Sequence, residues 1–470
     1  MKDSFVRIKS VEITNFKNVR HGKLELDNTR KPYKASVLGL YGQNGSGKTA
    51  LIDALSVLKN ALSGKTIPES FVDFINVDSD AASLRFEFKV VNNKLDAVYS
   101  VIYEFSLRKD VNETIQNTVA EMSGNAGYKL SIFDEVISYS CNGSGIKSRM
   151  QTVVDTRTDD VFVPASKFSV LTGNDKSTAT DLLVSKKIAK ATSRSFVFSG
   201  ELLNVIRRNC KDEYHNALFE ALIWFGNYEL FIIDTTKSGL ITLNALPLNF
   251  KYDENGKSSV GSVPIDLNKS SLIPQEAFTV VRKVINNMNI VLTQLIPGLS
   301  ISAKELGTEL LQNGSAGVRV QLVSHKNNKD IPLKYESEGI KKIISVLQLL
   351  IVVYNKSSIT VAIDELDSGV FEYLLGELLR IISEKGKGQL IFTSHNLRPL
   401  ETIDKGFIAF TTTNSDNRYI RFSNVKTNNN LRDFYYRDIV LGEQDEEVYN
   451  TTNNYEISLA FREAGEIIGT

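Results

Sequence analysis

The chain has 470 residues, 42% of them apolar, which suits roughly two or three domain-sized units with a sizeable core. Lys plus Arg and Asp plus Glu both number 55, so net charge gives no global electrostatic case for nucleic acid, although it hides local patches. The two cysteines, Cys141 and Cys210, make no disulfide framework and no C-x-x-C, which points to a reducing, cytoplasmic setting. No signal peptide precedes the first strand-like sequence, and no apolar run is long enough to span a bilayer, so no membrane role is expected.

Residues 5–26 alternate apolar and polar side chains (Val6 and Ile8, Val11 and Ile13, Leu24 and Leu26), which predicts strands. The apolar run Ser36–Tyr41 predicts a buried strand, and Leu51, Ile52, Leu55, Leu58 and Leu62 predict a helix stopped near Gly64. Between them lies Gly42-Gln43-Asn44-Gly45-Ser46-Gly47-Lys48-Thr49, a match to G-x-x-x-x-G-K-[ST] in the required strand–loop–helix context. Glycines let consecutive backbone N–H groups turn inward to cradle phosphate, and the following helix aims its positive end at the same point. Gly42, Asn44, Gly45, Ser46 and Gly47 are therefore candidate nucleotide contacts. Lys48 is placed to reach the β- and γ-phosphates, and the Thr49 hydroxyl to bind Mg²⁺.

Leu84, Phe86, Phe88 and Val90, then Tyr99, Val101, Tyr103, Phe105 and Leu107, predict a long antiparallel hairpin turning at residues 92–94. Asn93-Lys94-Leu95-Asp96 spells the guanine-reading N-K-x-D, but at a hairpin tip it reads as a turn. From 111 to about 284 the pattern is less regular. Strand-like pieces (161–163, 230–233), helical pieces (202–208, 214–225) and turn-rich stretches (123–127, 253–257) alternate, without a sustained heptad. This stretch reads as a compact, mostly helical inserted lobe and not a coiled-coil arm. An apolar-periodic helix follows from Phe278 to Leu295, ended by Pro297-Gly298. Strands are then expected around 318–323 and 331–333 across the turn 326–330.

Tyr335-Glu336-Ser337-Glu338-Gly339 precedes a strong helix whose Ile340, Ile343, Ile344, Leu347 and Ile351 share a face. Ser337 and Gly339 thus fall at a helix N-terminus, where backbone donors are free, and a plain Ser N-cap fits the same residues. Ile359–Glu365 is a buried-strand run ending in two carboxylates, a Walker B pattern. Asp364 would hold Mg²⁺ through water and Glu365 would polarise the attacking water, since adjacent buried acids need a cation nearby. A helix over 371–382 and a second buried strand, 389–394, lead to His395-Asn396, where an imidazole can reach a γ-phosphate. The tail from about 426 carries Tyr435, Tyr436 and Tyr449 among charges and suits an assembly surface or a packed cap equally well. Asp78-Ser79-Asp80 lacks the preceding acidic strand end of a toprim centre and reads as a polar turn. Four scattered histidines cannot build an H-N-H centre, so no nuclease centre is expected in this chain.

Ile13-Thr14-Asn15-Phe16-Lys17, the P-loop, Ser337-Glu338-Gly339, Ile363-Asp364-Glu365 and Thr393-Ser394-His395-Asn396, in that order, resemble the ABC-type ATPase head of RecF, SMC-like and OLD-like proteins. The resemblance implies an α/β P-loop head with a mixed sheet and an antiparallel subdomain. It divides the chain into 1–110 and 285–425 as head, 111–284 as the inserted lobe and 426–470 as tail or cap. It also implies that ATP is sandwiched between two head-to-tail copies, in a homodimer or higher homo-oligomer. One copy would supply Lys48, Thr49, Asp364, Glu365 and His395; the other, Ser337 and Gly339, with Asp367 at the seam. Ser-Glu-Gly departs from the family's Ser-Gly-Gly, and no Q-loop glutamine can be placed. More narrowly, the run Asp364–Glu377 and Asn430–Tyr436 are similar to the AriA-type ATPases of PARIS anti-phage systems, with Septu-type ATPases as close competitors. That similarity implies an ATPase scaffold that holds a separate toprim-type nuclease effector and releases it when a phage-encoded trigger protein is sensed. A RecF-like DNA-repair or DNA-clamping ATPase is the alternative.

Overall fold

A computed structural model describes residues 4–28, 34–111, 128–173, 175–242, 244–254, 257–327, 329–423 and 430–468. The chain opens with β1 (Ser4–Phe16), β2 (Val19–Glu25), β3 (Ser36–Tyr41) and α1 (Lys48–Leu62), then β4 (Ala81–Asn92), β5 (Ala97–Val111), β6 (Tyr128–Gly143) and β7 (Ile146–Asp155). Four helices follow: α2 (Ala165–Thr172), α3 (Lys176–Ala191), α4 (Gly200–Asn209) and α5 (Glu213–Trp224). Next come β8 (Leu230–Ile233), α6 (Thr235–Thr242), β9 (Ala245–Glu254), β10 (Lys257–Asp266), β11 (Ser271–Pro274) and α7 (Gln275–Leu295). β12 (Ser300–Leu310), β13 (Ala316–Lys326), β14 (Lys329–Pro332) and α8 (Glu338–Asn355) lead to β15 (Thr360–Ile363), α9 (Glu372–Lys385) and β16 (Gln389–Thr393). The chain finishes with α10 (Pro399–Thr402), β17 (Ile408–Thr411), β18 (Tyr419–Ile420), α11 (Leu431–Leu441) and α12 (Asn454–Ile468). No described helix is long and apolar enough to cross a membrane.

Two six-stranded sheets organise these elements. One is antiparallel, in the order β2-β1-β4-β5-β6-β7; the other runs β18-β17-β3-β16-β15-β8 and is parallel except for β18. Their sequences differ as their burial requires. β4 alternates, with Leu84, Phe86, Phe88 and Val90 buried, because one face of the antiparallel sheet meets the core. β3, β15 and β16 are buried along their whole lengths, because the parallel sheet is covered on both faces. On one face, α1 packs between the two sheets, with Leu51, Leu55 and Leu58 in one core with Ile13, Phe86 and Leu40. On the other face, Leu349 and Val353 of α8 and Leu379 and Ile382 of α9 pack on Val37, Val361 and Phe392. A third core joins α7 to β9, β12, β13 and the first turns of α8.

The stretch 111–284 carries strands as well as helices, and several of those strands belong to the two large sheets. α2 to α5 are helical, but β6 and β7 extend the antiparallel sheet, β8 adds an edge to the parallel one, and β9 pairs with β10. Bulges concealed β6. Where Glu104 and Ser106 of β5 pair with Val136 and Phe133, Asp134 and Glu135 of β6 face one residue, and the slips in the pairing of β6 with β7 put extra residues on β7, which breaks the period-two pattern of each bulged strand. Val161–Val163 contributes only an isolated bridge, Asp155 with Val163. The turn expected at 123–127 lies outside the described residues. Residues 93–96 do form the hairpin turn between β4 and β5, with Leu95 N–H donating to Asn92 Oδ1.

Candidate nucleotide site

Register brings the motifs together. Leu40 of β3 lies opposite Thr393 of β16, and Ile363 of β15 lies opposite Phe392. Three neighbouring parallel strands therefore end at one level, and the P-loop, the acidic pair and His395 emerge side by side. Open α/β sheets bind ligands at such carboxyl-end crevices.

The P-loop is held from both sides. Asn18, in the β1–β2 turn, donates to the Gly45 carbonyl; Tyr419 O–H donates to Gly47 O at 3.0 Å; Ser46 Oγ donates to Gln43 O at 2.6 Å and also touches Thr411 Oγ1. Arg418 ties the two supports together by donating to Asn18 O (2.7 Å) and Thr412 O (2.6 Å). Gly42 has φ +150°, and a Cβ there would stand 1.8 Å from Thr411 Oγ1, so the loop can lie this close only with glycine. Gly47, at φ +94°, turns the chain into α1, whose first residue is Lys48. The Lys48 ammonium is buried and donates to Gly42 O (2.8 Å) and Gln43 O (2.9 Å). Burial lowers its pKa, while Asp364, Glu365 and Asp367 act in the opposite sense.

Asp364 is fully buried. Its Oδ1 accepts the Thr393 hydroxyl at 2.5 Å, and its Oδ2 has no hydrogen-bond partner among the described residues. A buried carboxylate oxygen without a partner is costly, and a divalent cation beside it resolves the cost. The same Thr393 Oγ1 accepts from Glu365 N–H at 2.8 Å, so one hydroxyl positions both acids. Glu365 holds φ +48°, a left-handed conformation that disfavours side chains other than glycine and concentrates at functional sites. Asp367 Oδ2 accepts from the backbone N–H of His395 (3.0 Å) and Asn396 (2.9 Å), fixing the histidine loop within the same chain. The His395 imidazole opens to solvent, yet the partial burial around it, and then the Lys48 cation, lower its pKa. It is thus a neutral hydrogen-bonding group at neutral pH. A cavity of about 450 Å³ lies against this edge, lined by Gly42, Asn44, His395, Tyr435 and Tyr449 among others.

Ser337 and Gly339 lie at the N-terminus of α8. The Ser337 hydroxyl caps α8 by accepting from Ile340 N–H at 3.3 Å, and its side chain is exposed. Gly339 is buried, and a Cβ there would fall 2.0 Å from Gly369 O, on the loop that carries Asp367. Several contributors had no local sequence signal. Lys342, buried on α8, is held charged by Glu365, Asp364 and Asp367 against the effect of its burial, as Lys48 is. Asn18, Thr411, Arg418 and Tyr419 act through folding contacts that no spacing announces. Thr393 was inside a recognised run, but its bridging of both acids was not legible.

The strand order and this edge define an α/β fold with a P-loop at the carboxyl ends of its parallel strands. A family model for an AAA domain matches residues 10–209. The SbcC component of the SbcCD nuclease of Clostridium acetobutylicum is 24% identical over 222 residues, 43% of this chain; the chain spans 18% of that relative. Among solved structures, an Smc head bound to the C-winged helix domain of ScpA aligns at TM-score 0.39 and 13% identity, over 89% of this chain and 98% of that one. The SMC head domain from Thermotoga maritima aligns at 0.38 and 13%, over 89% and 99%. RecF with ATP aligns at 0.35 and 14%, over 89% and 100%.

Proposed function

We propose that this chain binds ATP with Mg²⁺ and hydrolyses it, and that two copies close head to tail over the nucleotide. The observation that carries this reading is the buried, unpartnered Asp364 Oδ2 beside Lys48 at one sheet edge. Asp364 and Thr49 are the residues that would hold Mg²⁺, which when bound neutralises phosphate charge. The P-loop N–H groups and Lys48 bind and orient the phosphates. Glu365 orients a water and takes its proton, and His395 hydrogen-bonds the terminal phosphate. Ser337 is exposed at its helix N-terminus and is available to a second copy's phosphates, whereas Gly339 acts by letting that helix approach the acidic loop. Steady-state phosphate release at rising protein concentration tests the pairing. A rate per chain that rises with concentration supports it, and a flat rate with intact activity counts against it.

Within that activity, we read the chain as the sensor and scaffold ATPase of an anti-phage system that controls a separate effector, a toprim-type nuclease, in response to a phage-encoded trigger. The support is the motif similarity of Asp364–Glu377 and Asn430–Tyr436 to such ATPases. In the fold, the first run carries the acidic loop and the start of α9, and the second opens α11 beside the nucleotide cavity. Co-expression with neighbouring gene products and pull-down tests it; a chain that always purifies alone, in cells that resist phage equally well without it, would end this reading.

A second reading, DNA clamping, is favoured by a specific surface. Arg108, Lys186, Lys187, Lys190 and Arg194 line a groove of about 400 Å³ together with Asp134, Glu135 and Asp159, and the excess of cations is what a phosphate backbone would meet despite the neutral total charge. It predicts DNA binding that weakens steeply with salt and DNA-stimulated turnover. Absence of both at low salt excludes it.

A further inference from the structure

Four neighbouring strands of the parallel sheet, β3, β16, β15 and β8, end along one edge. The first three lead into the P-loop, the His395 loop and the acidic pair. The fourth leads into Asp234. Ile233 of β8 lies opposite Ile363 of β15, and Asp364 N–H donates to Ile233 O at 2.8 Å, so Asp234 and Asp364 leave adjacent strands at the same step. Residues in register on parallel strands point to the same face, and the faces alternate along each strand. Phe231, Ile233, Val361 and Ile363 enter the core on the α8 and α9 side, whereas Leu230, Ile232 and Ala362 enter the core on the α1 side. One step beyond Ile233 and Ile363, both carboxylates therefore belong to the α1 side, the side of Lys48 and Thr49. Asp53, one turn after Thr49 on α1, gives a second view of the same grouping. Burial raises its pKa, the Lys17 ammonium 2.6 Å away opposes the rise, and the charges of Asp364 and Asp234 add to it.

The Asp364 Oδ2 that lacks a partner among the described residues marks where a cation would sit. No three acidic, His or Cys side chains among those residues converge closely enough to grip a metal directly. Mg²⁺ keeps several of its waters and takes only one or two carboxylates. A carboxylate on the next strand, about 4.8 Å across, therefore meets the ion's waters and not the ion. We propose, on the ATP–Mg²⁺ reading above, that Asp234 is a positioning residue of this site, holding through water the hydrated Mg²⁺ that Asp364 and Thr49 would bind. Asp234 also directly precedes α6, where an Asp side chain caps a helix. The two roles differ in what they need: a cap needs an oxygen, whereas a hydrated cation needs the charge as well.

The test reads the thermal midpoint of the full chain at fixed, saturating ATP as Mg²⁺ is raised, on a Glu365→Gln background so that ATP is not consumed. Asp234→Asn and Asp234→Ser keep a capping oxygen and lose the charge. Both are expected to leave the nucleotide-free midpoint in place and to raise the Mg²⁺ concentration that gives half the shift by about 10–100-fold. A Mg²⁺ response equal to that of the chain with Asp234 intact overturns the proposal and leaves Asp234 as a cap alone. A response abolished as completely as by Asp364→Asn also overturns it, because Asp234 would then be a direct ligand. If the chain with Asp234 intact shows no Mg²⁺-dependent shift, the ATP–Mg²⁺ reading falls and Asp234 with it. If that shift is present and both variants match it, Asp234 alone falls.

Discussion

Gly339→Ala tests how the signature helix and the acidic loop are joined. A methyl at position 339 would lie 2.0 Å from Gly369 O, more than about 1 Å inside ordinary contact. No flexible side chain can yield, because backbone faces backbone, and Gly369 is itself held at φ +73°. The N-terminus of α8 must therefore separate from the loop 364–369, which carries Asp364, Glu365 and Asp367 and, through Asp367, the His395 loop. Overpacking of this kind costs about 1–3 kcal/mol. A displacement near 1 Å in a catalytic constellation costs on the order of 10²-fold in rate. The expected result is a thermal midpoint lower by a few degrees and ATP turnover reduced by roughly 10²-fold, with ATP binding less affected because the P-loop is untouched. Gly200→Ala is the control: its Cβ meets nothing within 4 Å, and stability should stay within about 0.5 kcal/mol. Calorimetry and a coupled phosphate-release assay read both. A Gly339→Ala protein with unchanged midpoint and turnover would refute the close approach of these two segments.

Other expectations follow from the same geometry. Glu365→Gln should keep ATP bound and cut hydrolysis by roughly 10²–10⁴, whereas Lys48→Ala should weaken binding itself; normal turnover by Glu365→Gln would remove the base from this position. ATP at 100 times its Kd stabilises by about 2.7 kcal/mol, and Asp364→Asn should abolish whatever part of that gain requires Mg²⁺, seen as identical thermal shifts with ATP in Mg²⁺ and in chelator. Glu135 is buried and accepts from Tyr103 O–H (2.7 Å), Ser195 O–H (2.5 Å) and Phe196 N–H (2.7 Å), so Glu135→Ala should cost about 3 kcal/mol or more without altering ATP binding. Burial raises the Glu135 pKa above its ordinary 4.5, so the folded state holds this proton more tightly than the unfolded one. Its contribution is therefore full below 4.5 and is lost as pH rises through the raised value. Glu135→Gln should flatten that part of the midpoint-versus-pH curve, and an unchanged slope would place the proton elsewhere.

Much of the site was legible because its chemistry is local. Glycines with Lys48 and Thr49 must follow one another to cradle phosphate, and Asp364-Glu365 must end a buried strand, so both leave a linear trace. Continuous burial made β3, β15 and β16 plain as apolar runs, and alternation revealed β4 and β5. The inserted region was harder to read because extra residues at Asp134–Glu135 in β6 and along β7 shift the alternation out of phase, and periodicity cannot register a strand that changes face midway. The sequence by itself marked which groups are candidates to meet phosphate, and it did so through covalent neighbourhood alone. Only the tertiary structure decided that Thr393 bridges both acids, that Lys342 stands beside them, that Asp367 holds the His395 loop and that Gly339 abuts Gly369. Those contacts join residues far apart in the chain through strand register and sheet order, and no spacing within one segment encodes either.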